Sequence, residues 1–75
     1  MSVIVYSTPT CPYCLQVKEY LKEKKVEYTE HNVADDQNKA KEMTEKSGQM
    51  GVPVIDINGI IIVGFDKSKI DEALG

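Results

Sequence analysis

The chain has 75 residues, of which 41% are hydrophobic and 28% charged, and this length and composition predict one globular domain spanning residues 1–75. Its nine basic residues are all lysines and its formal charge is -3, which argues against a nucleic-acid partner because such proteins concentrate positive charge on one face. The N-terminal residues lack the basic flank and long apolar stretch of a signal peptide, and no apolar run could span a membrane, so we expect a cytoplasmic protein without a membrane partner.

The first half of the chain has the pattern of a strand, a helix and a second strand. Residues 3–6 form an unbroken apolar run rich in β-branched side chains, which predicts a strand buried on both faces. Residues 12–25 predict an amphipathic helix, and Pro12 suits its first turn, where no backbone N–H is needed. The apolar positions of that helix are spaced by about three to four residues: Cys14, Val17, Tyr20 and Leu21. Residues 26–33 begin with Val26 and Tyr28 alternating with polar side chains and continue with a polar run, which predicts a strand at a sheet edge.

The second half begins with a short helix and a hairpin. Asp35 or Asp36 can cap the helix, which runs to about residue 46, and Gly48 is placed to end it. Asn58-Gly59 then separates two apolar runs, a pattern that favours a two-residue hairpin turn between antiparallel strands. These two runs are residues 54–57 and 60–63.

A last helix follows the hairpin and completes the order βαβαββα. Asp66 can cap this helix, which we expect to run through Leu74, and Phe65 and Ile70 have the spacing of a hydrophobic staple. A β-α-β unit joins parallel strands, whereas a hairpin joins antiparallel ones. A four-stranded mixed sheet flanked by three helices satisfies both requirements, so we predict an α/β fold.

Cys11 and Cys14 are the only cysteines of the chain and the candidate catalytic residues. Two cysteines are too few for a disulfide scaffold, and their spacing is typical of a redox pair in a reducing compartment. Only the thiolate is nucleophilic, and an ordinary Cys has a pKa of roughly 8.5, so the attacking Cys needs a lowered pKa. Cys11 lies where the helix dipole and the N–H groups of Tyr13 and Cys14 favour the anion, and Cys14, one turn further on, can resolve a mixed disulfide.

Three other interpretations of the cysteine pair stay open. Both residues could be small core residues of a redox-inert adaptor. They could instead be half of a zinc site, but His31 is the only other nitrogen or sulfur ligand of the usual kind, so we expect no metal in a single chain. An iron–sulfur cluster held between two chains with external thiols is the third interpretation.

Several motifs together resemble the glutaredoxin family over almost the whole chain. They are Cys11-Pro12-Tyr13-Cys14 between a strand and a helix, Val52-Pro53 before the third strand, and Gly64-Phe65-Asp66 after the fourth. The resemblance implies a thioredoxin-like fold and a cis Val52-Pro53 bond that presents the Val52 backbone to an extended peptide or glutathione. It also implies a thiol–disulfide oxidoreductase without a bound cofactor, in which glutathione is the co-substrate that reduces the Cys11 and Cys14 pair. The positions implied to contact glutathione or peptide are Thr8, Pro12, Tyr13, Gln49, Val52, Pro53, Gly64, Phe65 and Asp66.

Three positions depart from the glutaredoxin pattern. Thr8 replaces a common Lys, Gly51 replaces the Thr of a usual Thr-Val-Pro, and Phe65 replaces a common Cys or Ser, while Gln49 lies at a position that is basic or Gln in the family. Gly64-Phe65 resembles glutaredoxin-like redoxins that take electrons from thioredoxin reductase and serve ribonucleotide reductase. The predicted partners are therefore glutathione, protein disulfides or glutathionylated proteins, with thioredoxin reductase as the alternative donor, and we expect a monomer.

Two of these positions have a structural explanation that needs no ligand. Asp66 can be a helix cap that contributes about 1 kcal/mol, a glutathione contact, or both. Phe65 has the position of a staple residue before the cap.

Overall fold

The computed structural model describes residues 2–75, and seven helices and strands follow one another along them in the predicted order. The strands are β1 (Val3–Ser7), β2 (Thr29–Asn32), β3 (Val54–Ile57) and β4 (Ile60–Val63). The helices are α1 (Pro12–Glu23), α2 (Gln37–Ser47) and α3 (Lys67–Leu74). Over the same described residues, no helix is both long enough and apolar enough to cross a bilayer.

The described strands form one mixed sheet, as predicted, and the structure shows their order to be β2-β1-β3-β4. Strand β1 runs parallel to β2 and antiparallel to β3, with Tyr6 opposite Val54. Strands β3 and β4 form the predicted hairpin, with Val54 opposite Val63. Asn58 and Gly59 take positive φ values of 52° and 90° at its turn, a conformation that these two residue types adopt at low cost.

The sheet buries an apolar layer on each face. Helices α1 and α3 cover one face, where the cluster of buried residues is Val3, Val5, Val17, Leu21, Ile55, Ile57, Ile62 and Ile70. Helix α2 covers the other face, where Met43 packs with Tyr6 and Val54. Val5 and Tyr6 point to opposite faces because side chains alternate along a strand. Each fully buried aliphatic side chain contributes roughly 1.5–3 kcal/mol, so both layers are needed for a chain this short.

Helix ends agree with the capping predictions, and Asp36 rather than Asp35 caps α2 by accepting a 3.1 Å hydrogen bond from the Lys39 N–H. Gly48 ends this helix with a φ of 74°. Asp66 caps α3 by accepting a 3.2 Å hydrogen bond from the Lys69 N–H. These local contacts fix the helices whose ends lie next to the candidate site.

Three boundaries differ from the prediction. Strand β1 extends to Ser7, because Ser7 pairs with Asn32 and its C=O accepts the Val33 N–H at 2.9 Å. Strand β2 is shorter than residues 26–33, because Val26 turns inward and packs against the core before the ladder begins. Helix α1 ends at Glu23 rather than near Lys25, which takes a positive φ of 59°.

Candidate active site

The register of the sheet brings three separate segments to one end of the molecule. Tyr6 faces Val54 and Val54 faces Val63, so the residues that follow β1, precede β3 and follow β4 leave the sheet side by side. The Gly64 N–H donates a 2.9 Å hydrogen bond to the Pro53 C=O and ties two of these segments together. The loop after β1 leads directly into Cys11 at the start of α1.

Cys11 is the N-cap residue of α1, with its side chain turned back over the first turn. Its Sγ accepts a hydrogen bond from the Cys14 N–H at 3.1 Å, while Pro12 occupies the first turn, where its missing N–H costs nothing. Of the two predicted donors, the amide of Cys14 rather than that of Tyr13 makes this bond. Cys11 is partly exposed, which leaves this end of the helix open to an incoming disulfide. A negative charge at this sulfur is stabilised by the amide and by the positive end of the helix dipole.

Cys14 lies in the opposite environment. Its side chain is 1% exposed, on the face of α1 that packs against the sheet. Burial raises the pKa of the Cys14 thiol to about 12, and the hydrogen bond to Cys11 acts in the same direction. Both cysteines are free thiols. Cys11 is therefore the more accessible of the two cysteines, whereas Cys14 is buried and its raised pKa keeps its thiol protonated at neutral pH.

A shallow groove runs beside Cys11. The residues that line it are Thr8, Pro9, Thr10, Cys11, Pro12, Leu15 and Lys18. The Thr8 C=O accepts the Cys11 N–H at 3.4 Å, so this predicted contact residue lies directly before the nucleophile. Tyr13 is 60% exposed on the first turn of α1. Thr8, Pro12 and Tyr13 are thus brought together around Cys11, and their contact with a ligand stays a prediction.

The Val52-Pro53 peptide bond is cis, as the resemblance implied. Pro53 is buried and Val52 half-buried, directly before β3. Since β3 lies next to β1, these residues are at the same end of the sheet as the loop that carries Cys11.

Gln49 is close to this segment, but its side chain is engaged within the chain. Its Nε2 donates to the Gly51 C=O at 3.1 Å, and its Oε1 accepts the Gly51 N–H at 2.5 Å. Gln49 therefore lies near the predicted binding strand, with its amide directed at the backbone of Gly51.

The third predicted segment, Gly64-Phe65-Asp66, makes contacts that support the fold, and its contact with a ligand stays a prediction. Phe65 packs against the core cluster that contains Ile70, in agreement with the predicted staple, and its ring meets Tyr20 edge-on at a centroid distance of 5.9 Å. Asp66 uses one carboxylate oxygen as the cap of α3. Gly64 contacts the cis-proline segment directly through its hydrogen bond to Pro53.

The sequence patterns did not identify Lys18 and Glu30 as neighbours of the site. Lys18 lines the groove beside Cys11 and forms a 2.8 Å ion pair with Glu30, whose carboxylate also accepts the Ser7 hydroxyl at 2.7 Å. The hydrogen bond from Lys18, followed by that from Ser7, lowers the pKa of Glu30. The sequence could have indicated Lys18, because it lies four residues after Cys14 and is therefore on the same side of α1.

No group of three histidine, cysteine or acidic side chains within residues 2–75 is arranged to hold a metal ion. His31 lies on β2 beside Tyr6, with 5.6 Å between the ring centroids. His31 thus makes an aromatic contact with Tyr6 on the neighbouring strand.

Comparison with known proteins identifies the family. A glutaredoxin family model matches residues 3–62, which is most of the chain. The chain belongs to the glutaredoxin family. It is 54% identical over 70 residues to an uncharacterised glutaredoxin-like 8.6 kDa protein in the rubredoxin operon of Clostridium pasteurianum, covering 93% of each chain. It is 37% identical over 74 residues to glutaredoxin 3 of Escherichia coli, covering 99% of this chain and 89% of that protein.

Solved structures confirm the fold. The crystal structure of the thioredoxin-like protein BC3987 superimposes with a TM-score of 0.90 at 30% sequence identity, covering 96% of this chain and 99% of that one. The predicted thioredoxin-like α/β fold is therefore correct. The glutaredoxin family supports a thiol–disulfide redox function in general.

Proposed function

We propose that this chain is a dithiol thiol–disulfide oxidoreductase in which Cys11 attacks and Cys14 resolves. The observation that carries the proposal is the unequal environment of the two sulfurs. Cys11 is partly exposed and accepts a 3.1 Å hydrogen bond at a helix N-terminus, whereas Cys14 is 1% exposed. Two structural core cysteines would both be buried, and neither would need the amide.

The proposed cycle moves two electrons to the substrate. The Cys11 thiolate attacks one sulfur of a substrate disulfide, so that a Cys11–substrate disulfide forms and the other substrate sulfur leaves as a thiolate. Cys14 then loses its proton and attacks Cys11 Sγ, which releases the second substrate sulfur as a thiolate. The two thiolates take up protons, and the protein is left with a Cys11–Cys14 disulfide that a dithiol or two glutathione molecules must reduce.

Protein disulfides and glutathionylated proteins are the proposed substrates. An extended polypeptide lying beside Cys11 can form strand-like hydrogen bonds with the backbone of Val52, which precedes Pro53 at the same end of the sheet. The cycle needs one chain and a reducing compartment, so we further propose a monomer that acts in the cytoplasm.

Glutathione is the first proposed electron donor, because the chain belongs to the glutaredoxin family. Thioredoxin reductase is the second candidate, and three features that weaken a glutathione site favour it. The Gln49 amide is bonded to Gly51 rather than free for a carboxylate, and Phe65 is packed against the core. Thr8 also leaves the loop before Cys11 without the positive charge that a glutathione carboxylate would favour.

Paired cysteine substitutions test the proposed cycle. Cys11→Ser removes the nucleophile and should abolish all disulfide exchange. Cys14→Ser should keep deglutathionylation, which needs one thiol, and lose reduction of protein disulfides, which needs both. Product formation is measured with a glutathionylated peptide and with a disulfide-bonded protein. Protein-disulfide reduction by the Cys11→Ser variant would overturn the assignment of roles.

The donor is tested with the oxidised wild-type protein. NADPH consumption is compared in the presence of glutathione with glutathione reductase and in the presence of thioredoxin reductase alone. The system that consumes NADPH identifies the donor. Visible absorbance and bound iron in anaerobically purified protein would favour the iron–sulfur interpretation instead.

A further inference from the structure

The chain between α2 and β3 contains a closed turn formed by one side chain. The Gln49 carboxamide bonds both polar groups of the Gly51 backbone, donating to its C=O at 3.1 Å and accepting its N–H at 2.5 Å. We call these two hydrogen bonds the carboxamide clasp. They imitate the pairing that a neighbouring β-strand would offer to a single residue.

Position 51 has to be glycine for the carboxamide clasp to form. A Cβ atom at Gly51 would lie 2.7 Å from Gln49 Oε1, which is closer than such atoms approach in proteins. Since Oε1 is at the far end of a flexible side chain, a larger residue would displace the Gln49 side chain rather than the backbone. Gln49 and Gly51 therefore act as a linked pair.

Little else in the turn holds Gly51 in place. On one side, the Ser47 hydroxyl lies 2.9 Å from the Gln49 C=O and 2.8 Å from the Met43 C=O, so the backbone of Gln49 is tied to α2. Gly51 itself is exposed and Met50 at the tip of the turn is 81% exposed, so apolar burial does not order these two residues, and the chain becomes anchored in the core only from Val52 onward. The carboxamide clasp is thus the contact that fixes the residue before Val52.

We infer that Gln49 is a positioning residue for polypeptide substrates: its carboxamide clasp fixes Gly51 and so holds the adjacent Val52 backbone ready to pair with an extended chain. The inference rests on the proposed function. A binding segment that is already ordered does not lose conformational freedom when the substrate docks, so affinity is gained without a new contact. A small disulfide without a peptide backbone does not pair with Val52 and gains nothing from this order.

The experiment compares two disulfides in reactions of the reduced protein with excess disulfide at varied concentration. Each protein molecule turns over once, so kcat here denotes the maximal rate constant and KM the disulfide concentration that gives half of it. Insulin carries its disulfides in a polypeptide, and 5,5′-dithiobis(2-nitrobenzoic acid) has no peptide backbone. We expect Gln49→Ala and Gly51→Ala each to lower kcat/KM for insulin about tenfold, mainly by raising KM. Reaction with the small disulfide should keep its wild-type rate, because the environment of Cys11 is unchanged.

A double variant and a control complete the design. Both substitutions break the same clasp, so the variant that carries Gln49→Ala and Gly51→Ala together should lose no more than either one alone. Gln37→Ala makes the same chemical change at the exposed opposite end of α2 and should behave as wild type. Equal losses on both disulfides, additive losses in the double variant, or an unchanged KM for insulin would each overturn the inference. A wild-type protein that reacts with neither disulfide would instead refute the proposed function.

Discussion

Replacing Lys46 by Met tests whether a polar cluster under the sheet stabilises the fold. Lys46 lies in the last turn of α2, and its Nζ donates to Asp56 Oδ2 at 2.8 Å and to the Tyr6 hydroxyl at 2.9 Å. Tyr6 also donates to the Glu42 carboxylate. One ammonium group therefore connects α2 to β1 and β3, the two strands that lead to the candidate site.

The expected loss of unfolding free energy comes from the Asp56 carboxylate, which the Lys46→Met substitution would leave without its ammonium partner. The Asp56 side chain is only 12% exposed, and although its other oxygen still accepts the Gly59 N–H at 2.8 Å, its negative charge loses its partner. Removing one partner of a fully buried pair costs about 3–5 kcal/mol. The Lys46 side chain is 30% exposed, so water can replace part of the pair, and we expect a loss of about 2 kcal/mol. For a domain of this size that corresponds to a fall in Tm of about 8–16 °C.

Urea unfolding followed by far-ultraviolet circular dichroism measures this loss. Lys39→Met is the matched control, because Lys39 lies on the same helix and makes only a 3.6 Å ion pair with Glu42, in which both side chains are about one-third exposed. The control should lose less than about 0.5 kcal/mol. A difference between the two variants of less than about 0.5 kcal/mol would refute the reasoning, because the buried contacts would then be worth no more than a surface pair.

Three further predictions concern the site and its surroundings. Iodoacetamide at mildly alkaline pH should modify Cys11 alone in the reduced protein, since burial raises the pKa of Cys14 to about 12; peptide mass spectrometry would contradict this if both sulfurs reacted at similar rates. Asp66→Ala should cost about 1 kcal/mol in urea unfolding and Asp66→Asn only a few tenths, because Asn also caps a helix; equal losses would speak against a capping role. The hydrogen bond from Lys18 lowers the pKa of Glu30, so this pair stabilises the fold above the ordinary Glu range and the gain is lost as pH falls through the lowered pKa. Glu30→Gln should therefore flatten the fall of the unfolding free energy in acid, and an unchanged slope would show that the pair contributes nothing.

Features that depend on a few neighbouring residues could be predicted from the sequence. Asn58-Gly59 identifies the hairpin because only a few residue types accept the positive φ values of its turn. Asp36 and Gly48 identify the ends of α2 because the cap hydrogen bond and the left-handed end are both local. The place of Cys11 at the start of α1 could be predicted in the same way, because Pro12 favours the first turn of a helix.

Features that depend on tertiary contacts could not be predicted in this way. The pairing of Lys46 with Asp56 needs the register of α2 over the sheet, which no spacing along the chain reveals. The family pattern predicts Gln49 as a ligand contact, and that contact stays a prediction; the bonds of its amide to Gly51, which form because position 51 lacks a Cβ, were not predicted. The sequence did contain one indication of these bonds. Gly51 replaces the Thr of the family pattern, and the missing side chain leaves room for the Gln49 amide to reach the backbone of residue 51.

The different tasks proposed for the two cysteines follow from the periodicity of α1. Cys14, Val17 and Leu21 are spaced by three and four residues and form the buried face of the helix, so packing this face against the sheet necessarily buries the second sulfur. Cys11 has the same three-residue spacing from Cys14, but it precedes the first helical residue and its N-cap backbone turns its sulfur back to the free amide of Cys14. The buried face of α1 begins one turn after the cap, so two chemically identical residues become a partly exposed sulfur at Cys11, the proposed nucleophile, and a buried sulfur at Cys14, the proposed resolving thiol.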